Sequence, residues 1–203
     1  MLELVHKHIG RPAFILGGGM SLPKQAKACP EDAVKISANR HGVILTPCDY
    51  IVSSELFDWV VEQLRQYAGT LISPHPTADV VNPLTKAVTS GMEAARIAWI
   101  MGCAPIILAG IDCYQEDQTY WDDPTEIKTY GNSGPGPHKK RKLGKQLADW
   151  KNTEAMLPGV VLRPVGGPLT EIFPQYHPGE IVTRFPIEAE ILDHMARYAN
   201  GVR

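Results

Sequence analysis

Several absences limit what this chain can be. It has four cysteines, Cys29, Cys48, Cys103 and Cys113, and no two of them form a C-x-x-C pair. That spacing argues against a zinc knuckle or a disulfide framework and fits a reducing, cytoplasmic setting. No stretch approaches the roughly 18 consecutive apolar residues of a membrane span. The opening MLELVHKHIG has no long apolar core, so no signal peptide is expected. Charge of one sign is also missing. Twenty Lys and Arg stand against 22 Asp and Glu, a net charge of −2. The molecule as a whole therefore has no strong pull toward nucleic acid or an anionic membrane. Internal repeats and low-complexity tracts are absent as well. The 203 residues, 44% of them hydrophobic, suit one α/β domain spanning 1–203.

What is present is a strand-and-helix alternation. Ala13 to Leu16 is an apolar run that leads into Gly17-Gly18-Gly19-Met20-Ser21-Leu22. A strand feeding a triple-glycine turn lets the backbone approach an anion, and Ser21 is placed to cap a following helix and reach a phosphate oxygen. The turn is neither a Walker A loop nor a full G-x-G-x-x-G, and on glycine content alone a tight strand-to-helix turn with no ligand is the more frequent reading. Further strands are expected over 33–38, ending at Asn39, over 49–53, ending at Ser53, and over 70–73. A helix is expected over 55–68, with Leu56, Val60, Leu64 and Tyr67 as its apolar stripe. Three prolines make 74–88 a loop, with His75 on its surface.

The most patterned stretch is TSGMEAARIAWIMGCAPIILAGIDCYQEDQTY, from Thr89 to Tyr120. Ser90 and Glu93 have capping-box spacing, which predicts a helix starting at Gly91 or Met92. Met92, Ala95, Ala98 and Trp99 form its stripe, and Gly102 stops it. Ile106 to Ala109 is a continuous apolar run, as in a central parallel strand covered on both faces. Asp112, Tyr114 and Tyr120 follow it. In open parallel sheets ligands sit outside the carboxyl ends of the strands, so these three are site candidates. The next segment, 115–137, is rich in acidic residues and glycine and reads as a lid. His138-Lys139-Lys140-Arg141-Lys142 then opens a helix reaching about Lys151, buried through Leu143, Leu147 and Trp150. This basic run is a solvated face, a clamp over phosphate, or, across 138–145, a patch for a nucleic-acid backbone. A strand over 160–162, a helical segment over 169–173 and an amphipathic helix after Pro186 complete the chain. The alternation implies a Rossmann-like, mostly parallel sheet with helices on both faces.

The central stretch resembles the bacterial sialyltransferases of the Campylobacter type. TSG, a helix, an apolar strand, then GIDCYQ and a second Tyr six residues after the first follow that family's pattern. GGGMSL is similar to the family's loop at the first strand end, and RPVGGPLTEIFP to its C-terminal region. The resemblance implies a nucleotide-dependent, glycosyltransferase-like enzyme with a CMP-sugar or similar donor and an unknown acceptor. It implies that Tyr114 and Tyr120 hold the leaving phosphate. Gly17, Gly18, Gly19, Ser21, Asn39, Ser53, Ser90, Gly91 and Asp112 would contact the nucleotide. His138 would be the general base, with charge added by Lys139 or Lys140 and no metal. A homo-oligomer fits the same resemblance. Gly18 and Ser53 stand where the family has asparagines, and Lys86 lies one position from the family's basic residue. The chain also resembles the archaeal MptE-like pterin diphosphokinases and related DUF115 proteins, which share a GPSL-type loop and a strand ending in G-x-D, and short phage-encoded proteins with a GGGxSL opening look similar too. In the kinase reading Asp112, with Asp122 or Asp123, would hold Mg²⁺. A third reading is a non-catalytic nucleotide-binding or interaction protein.

Overall fold

The computed structural model describes residues 1–83, 89–113, 120–123 and 143–199. Among these residues seven strands form one sheet: β1 (Ala13–Leu16), β2 (Val34–Ala38), β3 (Tyr50–Val52), β4 (Thr70–Ser73), β5 (Val80–Val81), β6 (Ile106–Ala109) and β7 (Leu162–Pro164). Among the described residues six α-helices accompany them: α1 (Leu22–Gln25), α2 (His41–Leu45), α3 (Asp58–Leu64), α4 (Ser90–Ile100), α5 (Leu143–Met156) and α6 (Glu188–Ala199). The strand order is β5-β4-β3-β2-β1-β6-β7, and every pairing is parallel. The expected Rossmann-like α/β architecture is therefore present. After β1 the chain adds strands on one side as far as β5, then crosses over to add β6 and β7 on the other. The crevice between β1 and β6 is the topological switch point, where sheets of this kind bind ligands.

Alternation along the strands divides the core. Ala13 and Ile15 face one side with Ile36, Val52, Ile106 and Leu108, against α4, α5 and α6. Phe14 and Leu16 face the other with Ile107 and Ala109, beside Leu22 of α1. Ile51 and Leu71 continue that second face against Val60, Val61 and Leu64 of α3.

Four expectations need correction. The helix after β3 starts at Asp58 and not at residue 55, and Leu56, expected in its stripe, is 65% exposed. The loop over 74–88 contains the edge strand β5, and α2 occupies a stretch with no apolar period long enough to announce it. His75 is buried, with Nε2 2.7 Å from Asp58 Oδ1 and Nδ1 2.9 Å from Thr77 Oγ1. The fourth concerns α4, which is buried on every side and not along one stripe. It lies across β1, β2, β3 and β6, while α5 packs on its outer side. Trp99 meets His194 of α6 edge-on at 5.1 Å and donates from Nε1 to the Pro158 carbonyl at 2.9 Å.

Candidate functional site

The carboxyl ends of β1, β2 and β6 and the first turn of α4 converge on one cleft. It holds about 570 Å³ of open space, a figure that includes solvent at its mouth. Its walls include Gly17, Gly18 and Gly19 from the β1 turn, Asn39 and His41 past β2, Ser90 and Gly91 on α4, and Asp112 past β6. Tyr120 closes one side, and Gln146 and Trp150, one helical turn apart on α5, close another. Most of the residues expected at a nucleotide site thus meet at the switch point.

The glycines are required by space rather than by backbone dihedral angle. A Cβ on Gly17 would fall 2.5 Å from the Gly110 carbonyl oxygen, and one on Gly19 would fall 2.4 Å from the Asp112 carboxyl. The β1 turn is pressed against the end of β6, which only a residue without a side chain permits. That contact also occupies donors. Gly17 N–H donates to the Ala109 carbonyl at 2.8 Å and Gly19 N–H to Gly110 at 2.7 Å. Two of the three glycine amides are thereby committed to the protein. Ser21 is committed too. Its N–H donates to Asp112 Oδ2 at 2.9 Å and its hydroxyl to Oδ1 of the same carboxyl, so it makes no side-chain cap of α1. Asp112 thus pins the β1 turn to the end of β6.

Free donors lie instead at α4. Its cap is Thr89, whose Oγ1 accepts from Met92 N–H at 3.3 Å, so the helix starts at Ser90, before the expected Gly91 or Met92. Glu93 does not reach back to complete a capping box; it is buried and bonded to Arg96 and Asn82. The N–H groups of Ser90 and Gly91 are among the orphan donors of a helix start, and both residues line the cleft. The Ser90 hydroxyl donates to Asn39 Oδ1 at 3.3 Å and accepts from Ser54 N–H at 3.1 Å, which ties the ends of β2 and β3 to α4. Asn39 has φ +58°, a left-handed turn that asparagine tolerates, and it swings the chain from β2 into α2. Ser53 does not line the cleft. It is fully buried, and its hydroxyl accepts from Glu55 N–H at 3.2 Å.

Part of the expected lid is docked. Trp121 N–H donates to the Gly18 carbonyl at 3.3 Å, and Asp122 bonds to His41 and Arg40. Tyr120 stacks on the His41 ring at 4.3 Å with 18° between planes. Sequence reasoning missed two polar side chains of the cleft, His41 and Gln146. The signal for His41 was its place two residues past Asn39, on the same sheet edge as the glycines. Gln146 falls one turn before Trp150, but nothing in the sequence marks which face of that helix meets the cleft. Tyr114, His138, Lys139, Lys140 and Lys86 lie outside the described residues. So does most of the 138–145 run, of which Lys145 is paired with Asp149 at 2.6 Å.

Charge at the site follows the same partners. Burial alone would raise the Asp122 carboxyl, but the hydrogen bond from His41 and the charges of His41 and Arg40 outweigh it and hold it below the usual carboxylate range. Asp112 is held by Ser21, and Asp122 by His41 and Arg40. Among the described residues no cluster of three His, Cys, Asp or Glu has metal-ligand geometry.

No protein-family model matches the chain, and a search of curated protein sequences finds no match. Its fold is similar to that of a solved structure, the MAf glycosyltransferase from Magnetospirillum magneticum AMB-1. The TM-score is 0.53 at 15% sequence identity, covering 97% of this chain and 38% of the other. The likeness is one of fold, shared with a portion of a longer glycosyltransferase. It does not reach the narrower sialyltransferase family. Among the described residues no helix is long and apolar enough to cross a membrane.

Proposed function

We propose that the cleft binds a nucleotide or nucleotide-sugar and that the protein is a glycosyltransferase-like transferase. The observation that carries this reading is the convergence of the α4 N-terminus, the glycine turn, Asn39 and Tyr120 on one cleft at the switch point. The Ser90 and Gly91 amides supply donors for a phosphate. Asp112 acts by holding the glycine turn against β6, so its part in binding is indirect. Tyr120, with Tyr114, stabilises charge on the departing phosphate. A CMP-sugar is the donor that the resemblance to the Campylobacter-type enzymes favours, and the likeness to a solved glycosyltransferase fold agrees at the coarser level. The acceptor is a hydroxyl of unspecified class.

A thermal-shift series tests the reading, using CMP, CDP, UDP, ADP, ATP and CMP-N-acetylneuraminic acid with and without Mg²⁺. A ligand of the folded state stabilises it by about 2.7 kcal/mol at a hundredfold excess over Kd. A raised Tm with CMP or its sugar, without metal, is the expected outcome. A shift with ATP that requires Mg²⁺ would favour the diphosphokinase. Silence toward every nucleotide would leave the interaction protein.

A further inference from the structure

We propose that His41, oriented by Asp122, is the general base of this cleft, a role that rests on the transferase reading above. His41 is 6% exposed, and its ring forms part of the cleft wall. Its Nδ1 lies 2.8 Å from Asp122 Oδ1, and the Asp122 side chain is 3% exposed and braced by Arg40 Nε at 3.3 Å. An ionised carboxylate accepts only, so a neutral His41 must carry its proton on Nδ1. The Nε2 lone pair is then left for chemistry, as in other carboxylate–histidine pairs. Among the described residues Nε2 has no hydrogen-bond partner. A Cβ on Gly18 would fall 2.9 Å from it, so the bare glycine keeps that nitrogen uncovered. Tyr120 stacked on the ring fixes its plane.

The bland alternative is that the pair only docks segment 120–123 onto α2. Two features go beyond docking: the uncovered second nitrogen, and a glycine, not a side chain, opposite it. In the reaction the acceptor oxygen bonds to the anomeric carbon. The carbon–oxygen bond to the nucleotide phosphate breaks, and its electron pair leaves on that phosphate. The acceptor's proton moves to Nε2. With water as acceptor the same step is donor hydrolysis. The groups facing His41 are Asp122 and Tyr120 from segment 120–123 and Arg40 from its own turn. On the β1 side Gly18 faces the ring, and Asp112 lies farther along the cleft wall behind Gly19.

The test uses the full chain with CMP-N-acetylneuraminic acid and UDP-N-acetylglucosamine as donor probes. It follows nucleotide release, and measures CMP and UDP binding separately by thermal shift. His41→Gln should lower kcat by about 10²-fold or more. It should leave nucleotide affinity within a few-fold and the circular dichroism unchanged. Asp122→Asn is a positioning variant. It should lower kcat with KM little changed, because the imidazole loses the carboxylate that orients it. Nitrogen-15 spectra of labelled histidine should give the Nδ1–H tautomer for His41 in the wild type and a mixture in Asp122→Asn. Wild-type kcat in a folded His41→Gln variant overturns the proposal, and so does abolition of turnover by His138→Ala alone. Those results leave the nucleotide reading standing. Failure of every nucleotide to raise the wild-type Tm overturns both.

Discussion

Asp112 is the residue on which the geometry of the cleft turns. Its carboxyl takes two hydrogen bonds from Ser21, and the glycine turn has no room for any other side chain beside it. The Asp beyond the sixth strand was expected to touch the nucleotide directly. Asp112 lines the cleft, and its hydrogen bonds from Ser21 also make it the clasp between β1 and β6. Asp112→Ala removes both bonds, each worth about 1 kcal/mol net, so urea denaturation should report a loss of about 2 kcal/mol. Nucleotide-induced stabilisation should fall with it, because the turn that lines the cleft is no longer held.

At the scale of elements, α4 is the most demanding. A helix buried all round must bury whatever polar groups it carries, and Glu93 and Arg96 are both buried on it. They pair with each other and with Asn82, while among the described residues Glu93 Oε2 has no hydrogen-bond partner. Removing one partner of a buried pair leaves an uncompensated charge. Glu93→Ala should therefore cost about 3–5 kcal/mol in chemical denaturation. The double change Glu93→Leu with Arg96→Met should cost much less, which separates charge burial from lost packing.

Where α6 crosses α4, His194 is held neutral. Burial, with the nearby Arg96, pushes it down to about 4, although its hydrogen bond to the Met156 backbone opposes the shift. In the unfolded chain the same group titrates near 6.5. The unfolded state therefore takes up a proton that the native state refuses as pH falls from about 6.5 to 4. The stability this group supports is complete above that window and is lost through it. Denaturation midpoints of the wild type should drop across the window. His194→Gln should flatten that part of the curve.

For the whole molecule, the sheet is covered on both faces, and opening it is the event that exposes its thiols. Cys48 and Cys103 are buried, and burial raises each to about 12. Neither supplies thiolate at neutral pH. A thiol reagent should label both only at the rate of global unfolding, and a nucleotide that binds the cleft should slow that labelling. Fast labelling of Cys103 in native buffer would mean that the region after α4 opens locally, independent of the sheet.

Strands β1, β4 and β6 were legible to the residue, because a short apolar run bounded by glycine, proline or polar residues has no other stable reading in an alternating α/β chain. The parallel sheet and the clustering of Gly17–Gly19, Asn39, Ser90 and Asp112 at one edge follow from the same local facts, since every such strand ends where ligands gather. Three things were not legible. Two-residue β5 and five-residue α2 are too short to show a period, and their existence depends on neighbours: β4 for the first, the Ser37 hydroxyl accepting from Gly42 and Val43 for the second. Burial of α4 on all sides depends on α5 and α6, which lie far along the chain. The pairing of His41 with Asp122 joins residues 81 positions apart. Local pattern names the elements and the edge where the site lies. Which side chains face one another there is set by how distant segments pack, and no single stretch of sequence contains that information.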